Sequence, residues 1–146
     1  MDNKITDKIE IENKTKKVGI VSCSGEDLPE GSISRLATLE VLLKRKPLVT
    51  TTICLPLYIA GGEGDRVFAK NYPTITVDGC DKLCAKKATE KFSGKVTHSI
   101  NVKDFIKESE KPINKRNLND IEKEIAGRVA GEIEKNVDRI LKEGQD

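Results

Sequence analysis

The chain alternates short runs of apolar and β-branched residues with segments of helical periodicity. Strands are predicted at four of these runs: residues 17–22, 48–53, 73–77 and 95–102. Helices are predicted between and after the strands: residues 32–46, 65–71, 80–92 and 119–142. Because strands that alternate with helices form right-handed βαβ units, the sequence predicts an α/β fold with a mainly parallel, four-stranded sheet and flanking helices. We expect the strand order 2-1-3-4, as in small doubly wound folds.

Local signals set the predicted ends of two helices. Ser32 is a candidate N-cap for the first long helix, and Pro47 cannot continue it. The helix at residues 80–92 is predicted to begin at Cys80, directly after the turn that follows the third strand. Cys80 and Cys84 would then share one face of its opening turn.

The last helix carries one long apolar stripe. Its members recur close to the helical repeat: Leu118, Ile121, Ile125, Val129, Ile133, Val137 and Ile140. The helix would span roughly 36 Å at 1.5 Å per residue, about twice a typical strand of ~17–20 Å. It can cover one face of the sheet, or its overhang can bind a second copy or another protein. Gly127 and Gly131, one turn apart, would permit close backbone contact in such a homodimer.

The 146 residues are enough to bury one substantial core. We expect a flexible N-terminal arm at residues 1–16 and an α/β domain at residues 17–110. Residues 111–146 would form a C-terminal segment whose helix packs on that domain or on a partner.

Composition and charge argue against several classes of partner. The 26 basic and 24 acidic residues are interleaved and aromatics make up only 3%, so the basic stripe and stacking aromatics of nucleic-acid binders are missing. No apolar stretch approaches the ~20 residues that span a bilayer. Residues 1–17 are polar and carry both charge signs, unlike a signal or transit peptide. We therefore expect a cytoplasmic protein without nucleic-acid or membrane partners, in a compartment that keeps thiols reduced.

Four cysteines lie where predicted strands end or a helix begins: Cys23, Cys54, Cys80 and Cys84. The carboxyl ends of parallel strands meet at one edge of a sheet, and neighbouring strands lie only ~4.8 Å apart. A tetrahedral zinc ion needs its sulfur ligands only ~3.8 Å from one another. We therefore expect the four thiols to gather around one metal ion at this edge.

The long gaps between the cysteines leave other chemistry open. Four thiolates also suit an iron–sulfur cluster, and buried structural cysteines are a further interpretation. In a thiol–disulfide redox enzyme, Cys80 would be the nucleophile and Cys84 the resolving thiol, although three residues rather than two separate them. Because this leaves Cys23 and Cys54 unexplained, the pattern favours a metal-binding protein over an enzyme.

Two glycine-containing segments and the single histidine have weaker interpretations. Residues 22–25 and 61–64 could present backbone N–H groups to an anion. Neither segment matches a P-loop or a complete dinucleotide-binding motif, so tight turns are the favoured interpretation. His98 shares a strand face with Val96 and Ile100, which favours a core or sheet-edge residue over a ligand.

Three segments resemble one known family. They are Ser22-Cys23-Ser24-Gly25, residues 52–62 with Cys54, and residues 73–87 with Asp78-Gly79-Cys80 and Cys84. The chain resembles the DGC family of zinc-binding proteins, which is named after that tripeptide. The resemblance covers roughly residues 17–102 and implies that Cys23, Cys54, Cys80 and Cys84 are zinc ligands. Structural, carrier and sensor roles all agree with it, and it implies no reaction.

Overall fold

A computed structural model describes residues 17–114 and 117–143. Four strands, β1 (Val18–Ser22), β2 (Thr50–Thr52), β3 (Thr74–Asp78) and β4 (His98–Asn101), form one sheet in the order β2-β1-β3-β4. All three pairings are parallel. The predicted α/β class and the order 2-1-3-4 are therefore confirmed. The arm predicted at residues 1–16 lies outside the described residues.

Helices connect and cover the strands. Within the described residues they are α1 (Pro29–Glu40), α2 (Leu57–Ala60), α3 (Glu63–Arg66), α4 (Phe68–Asn71), α5 (Cys84–Phe92) and α6 (Asp120–Glu143). A π-helical turn, Val41–Arg45, extends α1, and two 3₁₀ turns, Val102–Phe105 and Glu108–Glu110, precede α6. The segment before residue 65, predicted as a turn, thus contains α2 and the start of α3.

The first long helix begins three residues earlier than Ser32, so the predicted N-cap is wrong. Leu28 is extended, with φ −127° and ψ 143°, and Pro29 is the first helical residue. Proline suits that position because its fixed φ is helical and its missing N–H would have no partner there. The helical segment ends at Arg45, just before Pro47, as predicted.

The helix predicted from Cys80 begins instead at Cys84. Residues 79–82 form a turn, and Leu83 has a left-handed backbone with φ 53° and ψ 48°, which a continuous helix cannot contain. Cys80 therefore lies in a loop. The predicted shared helical face for Cys80 and Cys84 is wrong.

The sheet is covered on both faces. On one face, α1 and α6 pack together and bury the larger core, which includes Ile20, Ile75, Ile33, Val129 and Ile133. On the other face a smaller cluster joins Val21, Tyr58, Phe68 and Ala85. The apolar stripe of α6 is thus largely used within the chain, although Ile121 at its start stays exposed. Homodimer formation through this helix stays a prediction.

The longest helix of the described residues, α6, has 24 residues. Charged side chains recur along it, and no helix in the described ranges is long and apolar enough to cross a membrane.

Candidate metal centre

The sheet topology brings three of the four cysteines to one edge. Cys23 directly follows β1, Cys54 lies two residues after β2, and Cys80 lies two residues after β3. Because β1 pairs in parallel with both β2 and β3, the ends of these strands are neighbours. Cys84, the first residue of α5, follows the loop that leaves β3. The predicted placement at the carboxyl edge is therefore confirmed for the strand-end cysteines.

Cys23, Cys80 and Cys84 line one cavity of about 280 Å³, here called the narrow cavity. Asp27, Asp78 and Lys82 also line it. The cavity lies between the ends of β1 and β3, where the winding direction of the sheet reverses. Ligands of open α/β sheets bind at this position.

A second cavity of about 680 Å³, here called the wide cavity, lies between the end of β2, the loop after β1, and α1. Cys54 lines this cavity and not the narrow one. Cys23 lines both cavities. The four cysteines thus border two adjoining cavities that share the Cys23 side chain.

The sulfur of Cys23 lies within a small hydrogen-bond network. The Gly79 N–H donates to Cys23 Sγ at 3.3 Å, and Ser34 Oγ lies 3.4 Å from the same sulfur. The Ser34 hydroxyl donates to the Gly31 carbonyl at 2.6 Å and accepts the Ser24 N–H at 3.3 Å. Cys23 is consequently held by groups from α1 and from the loop after β3.

Asp78, the first residue of the tripeptide, caps α5 from outside the helix. Its buried carboxylate accepts the Ala85 N–H at 2.7 Å and the Lys86 N–H at 3.2 Å. Burial raises the pKa of Asp78 above its usual range, while the two backbone N–H groups and the Lys86 charge act in the opposite direction. This aspartate therefore fixes the start of the helix that carries Cys84.

Gly79, the second residue of the tripeptide, is required by close backbone packing. A Cβ atom here would lie 2.6 Å from the Gly31 nitrogen and 2.7 Å from the Glu30 carbonyl carbon. Both groups belong to α1, whose first turn passes directly over the loop. The absence of a side chain lets the Gly79 N–H approach Cys23.

The loop that carries Cys80 is anchored on its other side by the last residue of β4 and by a residue just after that strand. Asn101 Nδ2 donates to the Cys80 carbonyl at 3.3 Å. Lys103 Nζ lies 3.1 Å from the Asp81 carboxylate in an exposed ion pair. The backbone at Cys80 is thus tied to the sheet, whereas its thiol borders the narrow cavity.

All four cysteines are free thiols. Cys23 and Cys80 are half-buried, whereas Cys54 and Cys84 are exposed. As they stand, no three Cys, His, Asp or Glu side chains in residues 17–114 and 117–143 are grouped closely enough to hold a metal ion. The donor set therefore has the thiol chemistry that zinc prefers, but its geometry is not that of a closed site.

Other candidates from the sequence lie away from the thiols. His98 is half-buried in β4, opposite Ile75, and lines neither cavity. Residues 61–64 join α2 to the first turn of α3 and also line neither cavity. Sequence reasoning missed Arg35 and Thr38, which line the wide cavity, and Ser34, whose hydroxyl lies 3.4 Å from the Cys23 sulfur. The sequence signal that could have pointed to these residues is their helical spacing, which places them between the apolar positions of α1.

Comparison with known proteins gives one match. The family model for the DGC domain matches residues 19–133. This range reaches beyond the tripeptide segments and into α6, farther than the resemblance at residues 17–102. No curated protein and no solved structure matches the chain.

Proposed function

The chain belongs to the DGC domain family, and on this premise we propose that it binds zinc through the thiolates of Cys23, Cys54, Cys80 and Cys84. The supporting observation is that Cys23, Cys80 and Cys84 line one cavity at the carboxyl edge of the sheet. Cys54 lines the adjoining cavity, which shares Cys23. Four free thiols at one edge are the donor set of a thiol-rich zinc site.

The surroundings of the narrow cavity favour negatively charged sulfur. Four thiolates around one divalent zinc ion leave a net charge near −2, which needs compensation. The Gly79 N–H already donates to Cys23, and the Lys82 ammonium borders the same cavity. The first turn of α5 adds the positive end of a helix dipole beside Cys84.

The exposure of two of the thiols favours reversible binding over a permanently buried structural site. Cys54 and Cys84 face solvent, whereas Cys23 is held by hydrogen bonds from two elements. In this proposal Cys23 is the fixed ligand, and the loops that carry Cys54 and Cys80 move toward it. A carrier or sensor of metal needs such access for exchange with other ligands. Free thiols also agree with a cytoplasmic location, where they stay reduced.

Metal analysis of anaerobically purified protein tests the proposal. We expect about one zinc ion per chain. Each change, Cys23→Ser, Cys54→Ser, Cys80→Ser and Cys84→Ser, should weaken binding in competition with a chromophoric chelator. Cobalt substitution should give thiolate-to-metal charge-transfer absorption that falls with each cysteine removed. Ser24→Ala, in the same loop as Cys23, is the matched control and should bind like the original chain.

The proposal fails for any cysteine whose replacement leaves both affinity and the cobalt spectrum unchanged. It fails altogether if the reduced chain binds neither zinc nor cobalt. Iron and acid-labile sulfide measured on the same sample would identify an iron–sulfur cluster instead.

One observation favours a second candidate, thiol–disulfide exchange. Cys80 and Cys84 line the same cavity, and Cys84 is exposed at the first position of α5. A redox enzyme would form a Cys80–Cys84 disulfide on mild oxidation and would lose activity with either serine variant while Cys54→Ser stayed active. Tightly held zinc would contradict this candidate, because it would occupy both thiols.

A further inference from the structure

The narrow cavity offers three thiols, but a protein-bound zinc ion takes four ligands in a tetrahedron. Cys23, Cys80 and Cys84 line this cavity, whereas Cys54 lines only the adjoining wide cavity. Three thiolates in the narrow cavity therefore leave one coordination position to fill until the loop with Cys54 closes. Another donor at the narrow cavity could fill that position while Cys54 is away.

Two carboxylates border the narrow cavity, and only one of them is free to bind a metal ion. Both oxygens of the buried Asp78 already accept backbone N–H groups, from Ala85 and Lys86. The carboxylate of Asp27 pairs with no cation in residues 17–114 or 117–143. Carboxylate oxygens are established zinc ligands, at about 2.0–2.2 Å. Asp27 is therefore the available oxygen donor of this cavity.

The turn after β1 places Asp27 where the two cavities meet. The Leu28 N–H donates to the Gly25 carbonyl at 3.4 Å and so closes a turn around Asp27. Gly31 fixes the same carbonyl against the first turn of α1, since a Cβ atom at Gly31 would collide with it. Asp27 Oδ1 folds back toward Gly25 and would lie 3.3 Å from a Cβ atom there. Asp27 lines both cavities, as Cys23 does.

Cys54 and Asp27 differ in how strongly they bind zinc. Thiolate sulfur is the softer donor and suits zinc better, whereas carboxylate oxygen suits harder cations. The Cys54 thiolate should therefore displace Asp27 when its loop closes. When that loop opens, Asp27 can take the vacated position, so that four ligands are kept throughout.

From these observations we propose that Asp27 is a further zinc ligand, which exchanges with Cys54. In the open state Asp27 completes the ligand set of Cys23, Cys80 and Cys84. In the closed state Cys54 replaces it: one Zn–O bond breaks as one Zn–S bond forms. This inference rests on the proposed function, because it requires the thiolates to bind zinc. It adds a state in which Cys54 is free while the ion stays bound, as transfer to another ligand requires.

Removal of Cys54 should reveal the contribution of Asp27. Cys54→Ala leaves no donor at that position, and zinc affinity is measured anaerobically in competition with a chromophoric chelator. Adding Asp27→Asn to this variant should weaken zinc binding by about tenfold. In the original chain the same change should weaken binding far less, because Cys54 fills the fourth position. Glu26→Gln is the matched control, since this neighbouring exposed carboxylate lines the wide cavity only.

Cobalt spectra report the donor set independently of affinity. Cobalt-loaded Cys54→Ala should keep the intense visible bands of a four-coordinate ion, with less thiolate-to-metal absorption than the original chain. Adding Asp27→Asn should shift these visible bands, whereas adding Glu26→Gln should not.

Zinc transfer tests the exchange in the chain that keeps all four cysteines. Transfer to an excess of chelator passes through the open state, so its rate is proportional to the population of that state. Asp27→Asn should therefore slow transfer by the same factor, about tenfold, by which it weakens zinc binding in Cys54→Ala. Glu26→Gln should transfer zinc at the original rate.

Equal zinc affinity of Cys54→Ala with and without Asp27→Asn would overturn the proposal, and so would equal cobalt spectra or equal transfer rates. Urea unfolding of the metal-free chains separates these results from a folding defect, because Asp27 is exposed and its replacement should not lower stability. A reduced original chain that binds no zinc would overturn both proposals. Zinc binding that needs the four cysteines and does not respond to Asp27 would overturn this one alone.

Discussion

The capping of α5 by Asp78 makes a quantitative prediction about stability. The carboxylate accepts two backbone N–H groups, from Ala85 and Lys86, in a place with almost no solvent access. Asp78→Ala leaves both donors without an acceptor. At about 1–2 kcal/mol for each buried donor, the free energy of unfolding should fall by about 2–4 kcal/mol.

Asp78→Asn should have an intermediate effect. The amide oxygen can still accept one N–H, but the amide nitrogen would face the other donor and cannot accept it. We expect a loss of about 1–2 kcal/mol. Urea unfolding followed by far-ultraviolet circular dichroism measures all the variants, and equal slopes with denaturant would show that the same surface unfolds.

Asp81→Ala is the matched control. Asp81 lies three residues later, and its side chain is 84% exposed beside Lys103. An exposed ion pair of this kind contributes little, so the change should stay within about 0.5 kcal/mol. If Asp78→Ala unfolds like Asp81→Ala, or if Asp78→Asn is the more damaging change, the capping argument is refuted.

Three further predictions follow from packing and charge. The Arg128 guanidinium holds the pKa of Glu110 at about 2, against 4.5 ordinarily. The stabilisation that this ion pair adds to the folded state is therefore complete above pH 4.5 and is lost as pH falls toward 2. In unfolding experiments over that pH interval, the stability difference between Glu110→Gln and the original chain should shrink toward zero. Gly79→Ala should lower stability in thermal unfolding by about 1–3 kcal/mol, whereas Gly64→Ala, whose Cβ would meet no atom within 4 Å, should not lower it. Ile133→Ala, in the core, should lose about 2–5 kcal/mol in urea unfolding, whereas the half-exposed Ile121→Ala on the same helix should lose less than about 1 kcal/mol.

Strand order and the last helix were predictable because each depends on a repeated local pattern. Apolar strands that alternate with helices restrict the sheet to few arrangements, and the stripe of α6 recurs over many turns. The first residues of α1 and α5 were not predicted correctly, because each depends on a feature other than a repeated pattern. The helix α1 begins at Pro29 rather than after the candidate N-cap Ser32. The helix α5 is capped by Asp78, which accepts the N–H of a residue seven positions later in the sequence.

The candidate site was also predictable only in part. Placement of Cys23, Cys54 and Cys80 at one edge follows from parallel topology alone. Their division between two cavities does not, because it depends on how closely α1 approaches the loop at Gly79. The buried Thr38 hydroxyl likewise has no sequence signature, since helical periodicity does not say which polar residues lose their hydrogen-bond partners.

The contacts of Ser34 determine where the hydrogen on the Cys23 sulfur goes. Ser34 has a single hydroxyl hydrogen and gives it to the Gly31 carbonyl, so toward Cys23 it can only receive, and the thiol must supply the hydrogen between them. If the sulfur loses that hydrogen, the contact can persist only when the Ser34 hydroxyl rotates and donates to the sulfur. In that orientation Gly31, in the opening turn of α1, loses its bond to the serine. Ser34 thus links the state of one sulfur atom to the helix that forms a wall of both cavities.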